Sequence, residues 1–251
     1  MEKKNILSVI ALSLVGFTAL AQETAVPVKT QAQMEAEYKN WNNQKNDWAN
    51  FARYRAANAA LPAPTSSEKR VLFMGDSITD GWIRSSPDFF STNTYIDRGI
   101  SGQTTPQMLV RFRADVVALK PKVVVFLCGI NDIAGNTGPS SLEMIQDNIA
   151  SMCEIAVANK IKVVLSSVLP ANAFPWNKNV MPADSVIALN VWIKAYAAQN
   201  KHIYLNYYDA LVDDKKGMKP EYAADGIHPT KAGYSVMEPI AQQAIAAALR
   251  K

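Results

Sequence analysis

Two short runs of apolar residues constrain the fold of this chain more than any other feature. Residues Val71 to Gly75 and Val123 to Cys128 place apolar side chains on both faces of an extended strand. A strand that is apolar on both faces belongs inside a parallel sheet whose two faces are covered by helices. The two runs therefore predict an α/β fold, and the first of them ends abruptly at the polar pair Asp76–Ser77.

The rest of the chain alternates strand and helix patterns in the same way. Further strands are predicted near residues 94–97, 161–166 and 202–205, and helices near residues 106–119, 141–159, 183–199 and 230–249. Helices between parallel strands pack on the two faces of the sheet. We therefore expect a three-layer α/β/α sandwich with about five parallel strands.

The first 21 residues have the pattern of a secretory signal peptide. A short charged start precedes a mostly apolar run over residues 6–20, and Ala19–Ala21 supplies the small residues of a cleavage site. A membrane anchor is the alternative, but the run is near the lower limit for spanning about 30 Å of hydrocarbon and no basic stop follows. We expect cleavage before Gln22, no stable membrane insertion, and a periplasmic or secreted protein.

Residues 22–64 are predicted to be an N-terminal helical extension, and residues 65–251 the main domain. Apolar side chains at Met34, Tyr38, Trp41 and Trp48 are three, four or seven residues apart, which predicts a helix over residues 31–60. Two prolines within residues 61–64 end it, because proline cannot continue a helix. The sequence does not indicate an oligomeric state.

Composition and cysteine spacing exclude several classes of function. The net charge of +4 is small and evenly spread, so nucleic acid is not an expected partner. Cys128 lies at the end of a strand and Cys153 far along the next helix, which separates them by about 15 to 20 Å and excludes a disulfide. Because dinucleotide-binding, Walker and His-Glu-x-x-His motifs are absent, no cofactor or metal is expected.

Polar residues follow the strands at the edge where parallel α/β sheets bind ligands. Ser77 follows the first strand, and one of the two histidines, His228, falls at the same edge with Asp225 three residues before it. A serine nucleophile needs a base within hydrogen-bond reach and a carboxylate that orients the base. The N–H groups of Ser77 and Gly102 and the side-chain amide of Asn131 are candidate donors to an oxyanion. Each motif taken alone is as typical of an ordinary turn as of a catalytic site.

Four blocks together resemble a known family. They occur in the family's order over residues 71–229 and resemble the motifs of the SGNH hydrolases, also called GDSL esterases and lipases: Gly75-Asp76-Ser77-Ile78, Gly99-Ile100-Ser101-Gly102, Gly129-Ile130-Asn131-Asp132 and Asp225-Gly226-Ile227-His228-Pro229. The resemblance implies a flavodoxin-like sheet and a serine esterase.

The resemblance also implies a role for each matching residue. Ser77 would be the nucleophile, His228 the base and Asp225 its orienting acid, while Gly102 and Asn131 would join the Ser77 N–H as oxyanion donors. It implies a small-molecule or glycan ester as substrate. The nucleophile elbow of the α/β-hydrolases is absent, which disfavours that fold.

Three positions depart from the family pattern. Ile78 replaces the leucine of the family name, a change of little consequence for a core residue. Asp97 stands where related sequences often have asparagine, and Gln103 where an acid is common. We expect the last two changes to bear on the acyl or alcohol pocket and not on the catalytic roles.

The loop after the fourth strand suggests the kind of ester. It contains Asn172, Phe174 and Trp176, amide and aromatic groups of the type that hydrogen-bond and stack on a sugar. Members of the resembled family that share this size and export include carbohydrate acetylesterases, so the resemblance makes removal of acetyl groups from carbohydrate the first hypothesis. A lysophospholipase or arylesterase is the second, and a glycan-binding module without catalysis is an alternative of another class. A role for Trp176 in packing the loop onto the domain is as consistent with the sequence as a role in stacking on a sugar.

Overall fold

The computed structural model describes residues 29–250, apart from the side chains of residues 40, 43 and 44. The predicted signal peptide, residues 1–21, lies outside this range and stays a prediction. Within the described range, none of the helices combines the length and the apolar character needed to cross a membrane.

The sheet has five parallel strands in the order β2-β1-β3-β4-β5. This is the flavodoxin-like order, so the expected α/β/α fold with parallel strands is confirmed. In the register of the sheet, Gly75 pairs with Gly99 on one side and with Leu127 on the other, so three strands end at one edge. The strands are β1 (Val71–Gly75), β2 (Tyr95–Gly99), β3 (Val123–Leu127), β4 (Lys162–Ser166) and β5 (Ile203–Leu205).

Helices cover both faces of the sheet. The described helices are α1 (Gln31–Asn46), α2 (Ala52–Ala60), α3 (Ser77–Ser85), α4 (Pro87–Asn93), α5 (Thr105–Asp115), α6 (Ile130–Ile133), α7 (Leu142–Ala158), α8 (Ala183–Gln199), α9 (Tyr208–Leu211) and α10 (Lys231–Arg250). Helices α5, α7 and α8 pack side by side on one face, and α3 packs with α10 on the other. The predicted helix over residues 106–119 divides into α5 and a 3₁₀ turn at Val117–Leu119.

The predicted helix over residues 31–60 is interrupted, and α1 and α2 are separate. The Asp47 carboxylate accepts hydrogen bonds from the N–H groups of Phe51 and Ala52, each at 2.8 Å, and Asn50 has a φ of +55°. These local bonds compete with a continuous helix. Contacts divide the chain into two compact units, one ending at Trp41 and the other beginning at Asn42. Helix α2 therefore belongs to the unit that contains the sheet, although the sequence assigned it to an extension.

Aromatic side chains form the core between the sheet and α3. The Phe73 ring meets those of Trp82, Phe89 and Phe90 edge-on at 5.4 to 5.9 Å, and Trp82 stacks on Tyr234 at 5.2 Å. Such pairs favour one arrangement of the two layers. Both cysteines are buried and free, as the spacing predicted.

Glycines let α3 start directly against the strand ends. A Cβ on Gly99 would lie 2.2 Å from the Asp80 nitrogen, and a Cβ on Gly75 would lie 2.8 Å from the Leu127 carbonyl oxygen. Because the crowding atoms belong to the backbone, only glycine allows this approach. The first turn of α3, which carries Ser77, is therefore held at the edge of the sheet.

Gly99→Ala should lower the free energy of unfolding by about 2 to 4 kcal/mol, because the new methyl group forces two backbone segments apart. Urea denaturation measures the change. The matched control is Gly217→Ala, where the new Cβ meets the Asn172 side-chain amide. That side chain can move, so equal losses in both variants would contradict the packing argument.

Candidate active site

Ser77 occupies the first position of α3, immediately beyond the end of β1. The preceding Asp76 caps the helix, since its Oδ1 accepts a hydrogen bond from the Ile78 N–H at 2.9 Å. The half-buried Ser77 side chain lies at the turn itself. Strand, cap and helix together hold its hydroxyl on a rigid support.

The Asp76 carboxyl group is buried, and its Oδ2 has no hydrogen-bond partner within residues 29–250. Burial raises the pKa of Asp76 to about 7, although the bond from Ile78 opposes the shift. The group is therefore partly protonated at neutral pH. Its hydrogen bond from the Ile78 N–H makes Asp76 the N-terminal cap of α3, which is a structural role.

His228 meets Ser77 across the site. Its Nε2 lies 2.9 Å from the Ser77 Oγ, although the two residues are 151 positions apart in the chain. On the other side of the ring, Nδ1 lies 2.6 Å from Asp225 Oδ2. The two hydrogen bonds form a continuous chain from hydroxyl to imidazole to carboxylate.

The Asp225 carboxylate is oriented by its own loop. Its Oδ1 accepts the N–H groups of Ile227 at 2.9 Å and His228 at 2.8 Å, and Gly226 between them has a φ of +79°. Burial opposes ionisation, but these bonds and the one from the imidazole hold the pKa of Asp225 below its ordinary value. An ionised Asp225 keeps the ring proton on Nδ1, which leaves Nε2 as the acceptor for Ser77.

Two candidate oxyanion donors lie beyond β2 and β3. Gly102 has a φ of +79°, and no hydrogen bond within residues 29–250 uses its N–H. Asn131, in α6, is buried; its Nδ2 donates to the Gln103 carbonyl at 3.0 Å, and its Oδ1 accepts from Asn136 at 2.8 Å. An amide nitrogen carries two hydrogens, so one remains for a ligand.

The three candidate substrate residues are placed differently. Trp176 is exposed, and its ring lies 6.4 Å from that of His228. Phe174 is only 1% exposed and packs against Trp176 at 5.1 Å, so it supports Trp176 and does not itself reach a ligand. The Asn172 amide donates to the Lys215 carbonyl at 3.3 Å, which ties together two loops.

The side chains at the two departures, Asp97 and Gln103, hydrogen-bond within the protein. Both are buried. Asp97 Oδ1 accepts the Gly99 N–H at 2.6 Å, and burial raises the pKa of Asp97 to about 7. The Gln103 side chain accepts from Arg111 at 2.6 Å and donates to the Ala49 carbonyl at 2.7 Å. Both support the loop that contains Gly102.

The sequence did not reveal the residues that hold this loop. Arg111 is fully buried and pairs with Asp115, and Tyr54 reaches from α2 to the Gly99 carbonyl. The four-residue spacing of Arg111 and Asp115 is a signal for an ion pair, but an exposed helix face has the same pattern. Among the described residues, no group of three or more His, Cys, Asp or Glu side chains could hold a metal ion.

The sheet order and the serine, histidine and aspartate at its edge define the class of SGNH hydrolases. The sequence profile of the GDSL-like lipase/acylhydrolase family matches residues 73–236. The chain belongs to this family, and it is a carboxylic ester hydrolase.

Relatives with known sequences or structures agree with this assignment. Esterase TesA from Pseudomonas aeruginosa is 30% identical over 180 residues, which cover 66% of this chain and 83% of that protein. The crystal structure of a GDSL-like lipase from Bacteroides thetaiotaomicron is 52% identical, has a TM-score of 0.78, and is matched over 80% of this chain and 98% of that one.

A more distant likeness concerns the fold alone. An acetylxylan esterase from Geobacillus stearothermophilus is 20% identical, with a TM-score of 0.59, over 71% of this chain and 94% of that one.

Replacing Asp76 should change how stability depends on pH. The ordinary pKa of Asp76 is 3.8, and its pKa in the folded protein is about 7. At a pH between these two values, the folded protein holds a proton on Asp76 that the unfolded chain releases. Stability therefore falls as the pH rises through this window. Asp76→Asn removes this dependence. Its free energy of unfolding relative to the wild type should rise by about 2 to 4 kcal/mol between pH 4 and pH 8.

Urea denaturation across this pH range measures the difference. Asp214→Asn, at an exposed position, is the control and should follow the wild type. An Asp76→Asn curve parallel to that of the wild type would contradict the assignment of a proton to Asp76.

Proposed function

We propose that the protein is a serine esterase that removes short acyl groups, acetyl in particular, from the hydroxyl groups of carbohydrates. The chain of hydrogen bonds from Ser77 through His228 to Asp225 is the observation that carries the catalytic part. Ester hydrolysis follows from the family.

Acylation begins when the Ser77 Oγ attacks the carbonyl carbon of the ester. His228 Nε2, at 2.9 Å, accepts the hydroxyl proton as the new bond forms. The ionised Asp225 stabilises the imidazolium through the bond to Nδ1. The imidazolium then donates its proton to the leaving alcohol, and an acyl-serine remains.

The negative charge on the carbonyl oxygen needs donors that are already in place. The N–H groups of Ser77 and Gly102 and the free amide hydrogen of Asn131 supply them, and the first turn of a helix favours negative charge at Ser77. The Asn131 amide is held by Gln103 and Asn136, so it does not have to reorganise during the reaction.

Deacylation uses the same groups in reverse order. A water molecule takes the place of the leaving alcohol, and His228 removes its proton as the oxygen attacks the acyl carbon. Collapse of the second tetrahedral intermediate returns the proton to Ser77 and releases the carboxylic acid. No further group is needed for turnover.

Trp176 supports a carbohydrate as the leaving alcohol. Because His228 protonates the leaving oxygen, the alcohol lies on the histidine side of the site, where the exposed Trp176 ring is 6.4 Å from the imidazole. Phe174 packs beneath it, and Asn177 donates to the Ala134 carbonyl at 3.0 Å, which holds the loop down. A fixed, exposed indole is suited to stack on a sugar ring.

A short acyl group is favoured because the loops at this edge contain no long apolar stretch that could line a tunnel. The fold is shared with an acetylxylan esterase, which supports an acetylated glycan as the proposed substrate. A lysophospholipase or arylesterase is the second candidate, since Trp176 can also stack on an aryl group. A glycan-binding module without catalysis is not retained, because the chain is an ester hydrolase.

The pattern of residues 1–21 supports export as part of the proposal. The enzyme would then meet its substrate in the periplasm or outside the cell.

A panel of nitrophenyl esters and acetylated polysaccharides tests the proposed substrate. We expect kcat/KM for the acetate ester to exceed that for octanoate by at least about tenfold, and acetate to be released from the polysaccharide. Preference for octanoate, or activity on lysophospholipid without deacetylation, would favour the second candidate.

Ser77→Ala should abolish turnover without loss of fold, because no other hydroxyl is paired with His228 among the described residues. Steady-state kinetics and circular dichroism measure the two properties. Wild-type activity in this variant would refute the proposed mechanism.

Asn131→Ala should lower kcat by about 10² to 10³-fold, since it removes one donor to the oxyanion. KM for the acetate ester should change little, because the donor acts mainly in the transition state. Asn159→Ala, at an exposed helix end, serves as the control. A loss confined to KM would assign Asn131 to substrate binding.

A further inference from the structure

We propose that the turn at residues 47–51 together with α2, here called the α2 segment, holds the oxyanion loop, residues 99–103, in its catalytic position. The inference rests on the proposed roles of Gly102 and Asn131 and extends them to residues that touch no substrate. These are positioning residues. They come from the part of the chain before the first strand, outside the residues that match the family profile.

Gly102 has little packing of its own. Among the described residues other than its chain neighbours, no heavy atom lies within 4 Å of the place where a Cβ would stand, and its φ is +79°. Its carbonyl accepts one long hydrogen bond from Asn136, at 3.4 Å. The direction of its N–H therefore depends on how the chain is fixed on either side. Gly99, Ser101 and Gln103 are the neighbours through which it is fixed, and each is linked to the α2 segment.

Tyr54 holds the start of the loop. Its hydroxyl donates a hydrogen bond to the Gly99 carbonyl. The Arg98 guanidinium lies over the Tyr54 ring at 4.7 Å, and Asn58, one turn along α2, accepts from Arg98 Nε at 2.9 Å. Burial, together with the charge of Asp97, raises the pKa of Tyr54, so the hydroxyl keeps its proton as a donor.

Arg53 acts on the middle of the loop through Asp80. The Ser101 hydroxyl donates to Asp80 Oδ2 at 2.6 Å, while Asp80 Oδ1 accepts from Arg53 at 3.2 Å and from Arg84 at 3.2 Å. The Asp80 side chain is only 12% exposed. Two cations thus orient a largely buried carboxylate that fixes the residue preceding Gly102.

Gln103 connects the α2 segment to two proposed oxyanion donors, the Gly102 N–H and the Asn131 side-chain amide. Its Nε2 donates to the carbonyl of Ala49, which is buried in the turn that Asp47 caps. Its own carbonyl accepts from the Asn131 amide at 3.0 Å. A shift of this turn would therefore move the Gly102 N–H and the Asn131 amide together.

Oxyanion donors lose effect steeply when they are displaced, and a displacement of about 1 Å from a distant change can cost up to about 10²-fold in rate. A displaced loop leaves the binding of the neutral ester almost unaffected, because the donors act on charge that develops in the transition state. The α2 segment should therefore contribute to kcat and not to KM.

Tyr54→Phe in the full chain tests the proposal, since it removes the hydroxyl and keeps the ring. We expect kcat for nitrophenyl acetate to fall about tenfold with KM unchanged. Inhibition by phenylboronic acid, whose tetrahedral adduct with serine places an oxygen in the oxyanion site, should weaken by a similar factor. Arg55→Ala, at an exposed position of the same helix, should match the wild type.

Arg53→Ala and Arg53→Lys provide a second test at a half-exposed side chain whose loss should not unfold the protein. We expect a several-fold fall in kcat for alanine and substantial recovery for lysine, which can still pair with Asp80. The proposal is overturned if Tyr54→Phe and Arg53→Ala, folded by circular dichroism, keep wild-type kcat and boronate inhibition, or if the loss lies in KM. An active Ser77→Ala variant would instead overturn the proposed mechanism.

Discussion

One buried cation joins the parts of the structure on which the site depends. The Arg111 guanidinium is fully buried and donates to the carbonyls of Gly75 at 3.2 Å and Arg98 at 2.8 Å, to the Gln103 side chain, and to Asp115. It thus satisfies carbonyl groups at the ends of β1 and β2, where the sheet stops. Burial lowers the pKa of Arg111 while Asp115 opposes the shift, and a guanidinium keeps its charge in either case. Because a buried charge is tolerated only with a full set of partners, the strand ends and the oxyanion loop are fixed relative to each other.

The site combines two kinds of support. Ser77, Gly102 and Asn131 lie directly beyond the strands β1, β2 and β3, so the sheet sets their spacing. Asp225 and His228 instead lie in a loop before α10, and that loop orients the carboxylate through its own backbone N–H groups. The proposed nucleophile and oxyanion donors are therefore part of the rigid scaffold, whereas the proposed base is carried by a separate turn that its own hydrogen bonds organise. The two halves meet in the hydrogen bond between serine and histidine.

The fold, and the meeting of Ser77, His228 and Asp225 at one edge of the sheet, could be predicted because each leaves a local pattern. Strands buried on both faces are uniformly apolar, and the motif residues follow them directly. The break near Asp47 could not be predicted, since apolar spacing continues across it and the competing bonds are visible only in three dimensions. The burial of Phe174 and Gln103 was also missed, because residue type alone does not show which member of a loop turns inward. The supports of the oxyanion loop are long-range contacts, for which a single sequence has no signal.

The separation of 151 residues between Ser77 and His228 has a consequence for folding. Contacts between distant parts of a chain form slowly, because the loop that they close costs conformational entropy. The strands and the serine turn come from consecutive strand and helix units. The proposed base reaches Ser77 only when the loop that precedes α10 in the chain has docked. Because α10, which follows this loop, packs on β3, β4 and β5, a chain that stops short of the loop would lack both the proposed base and a helix that covers the sheet. Hydrolytic activity therefore reports completion of the whole domain.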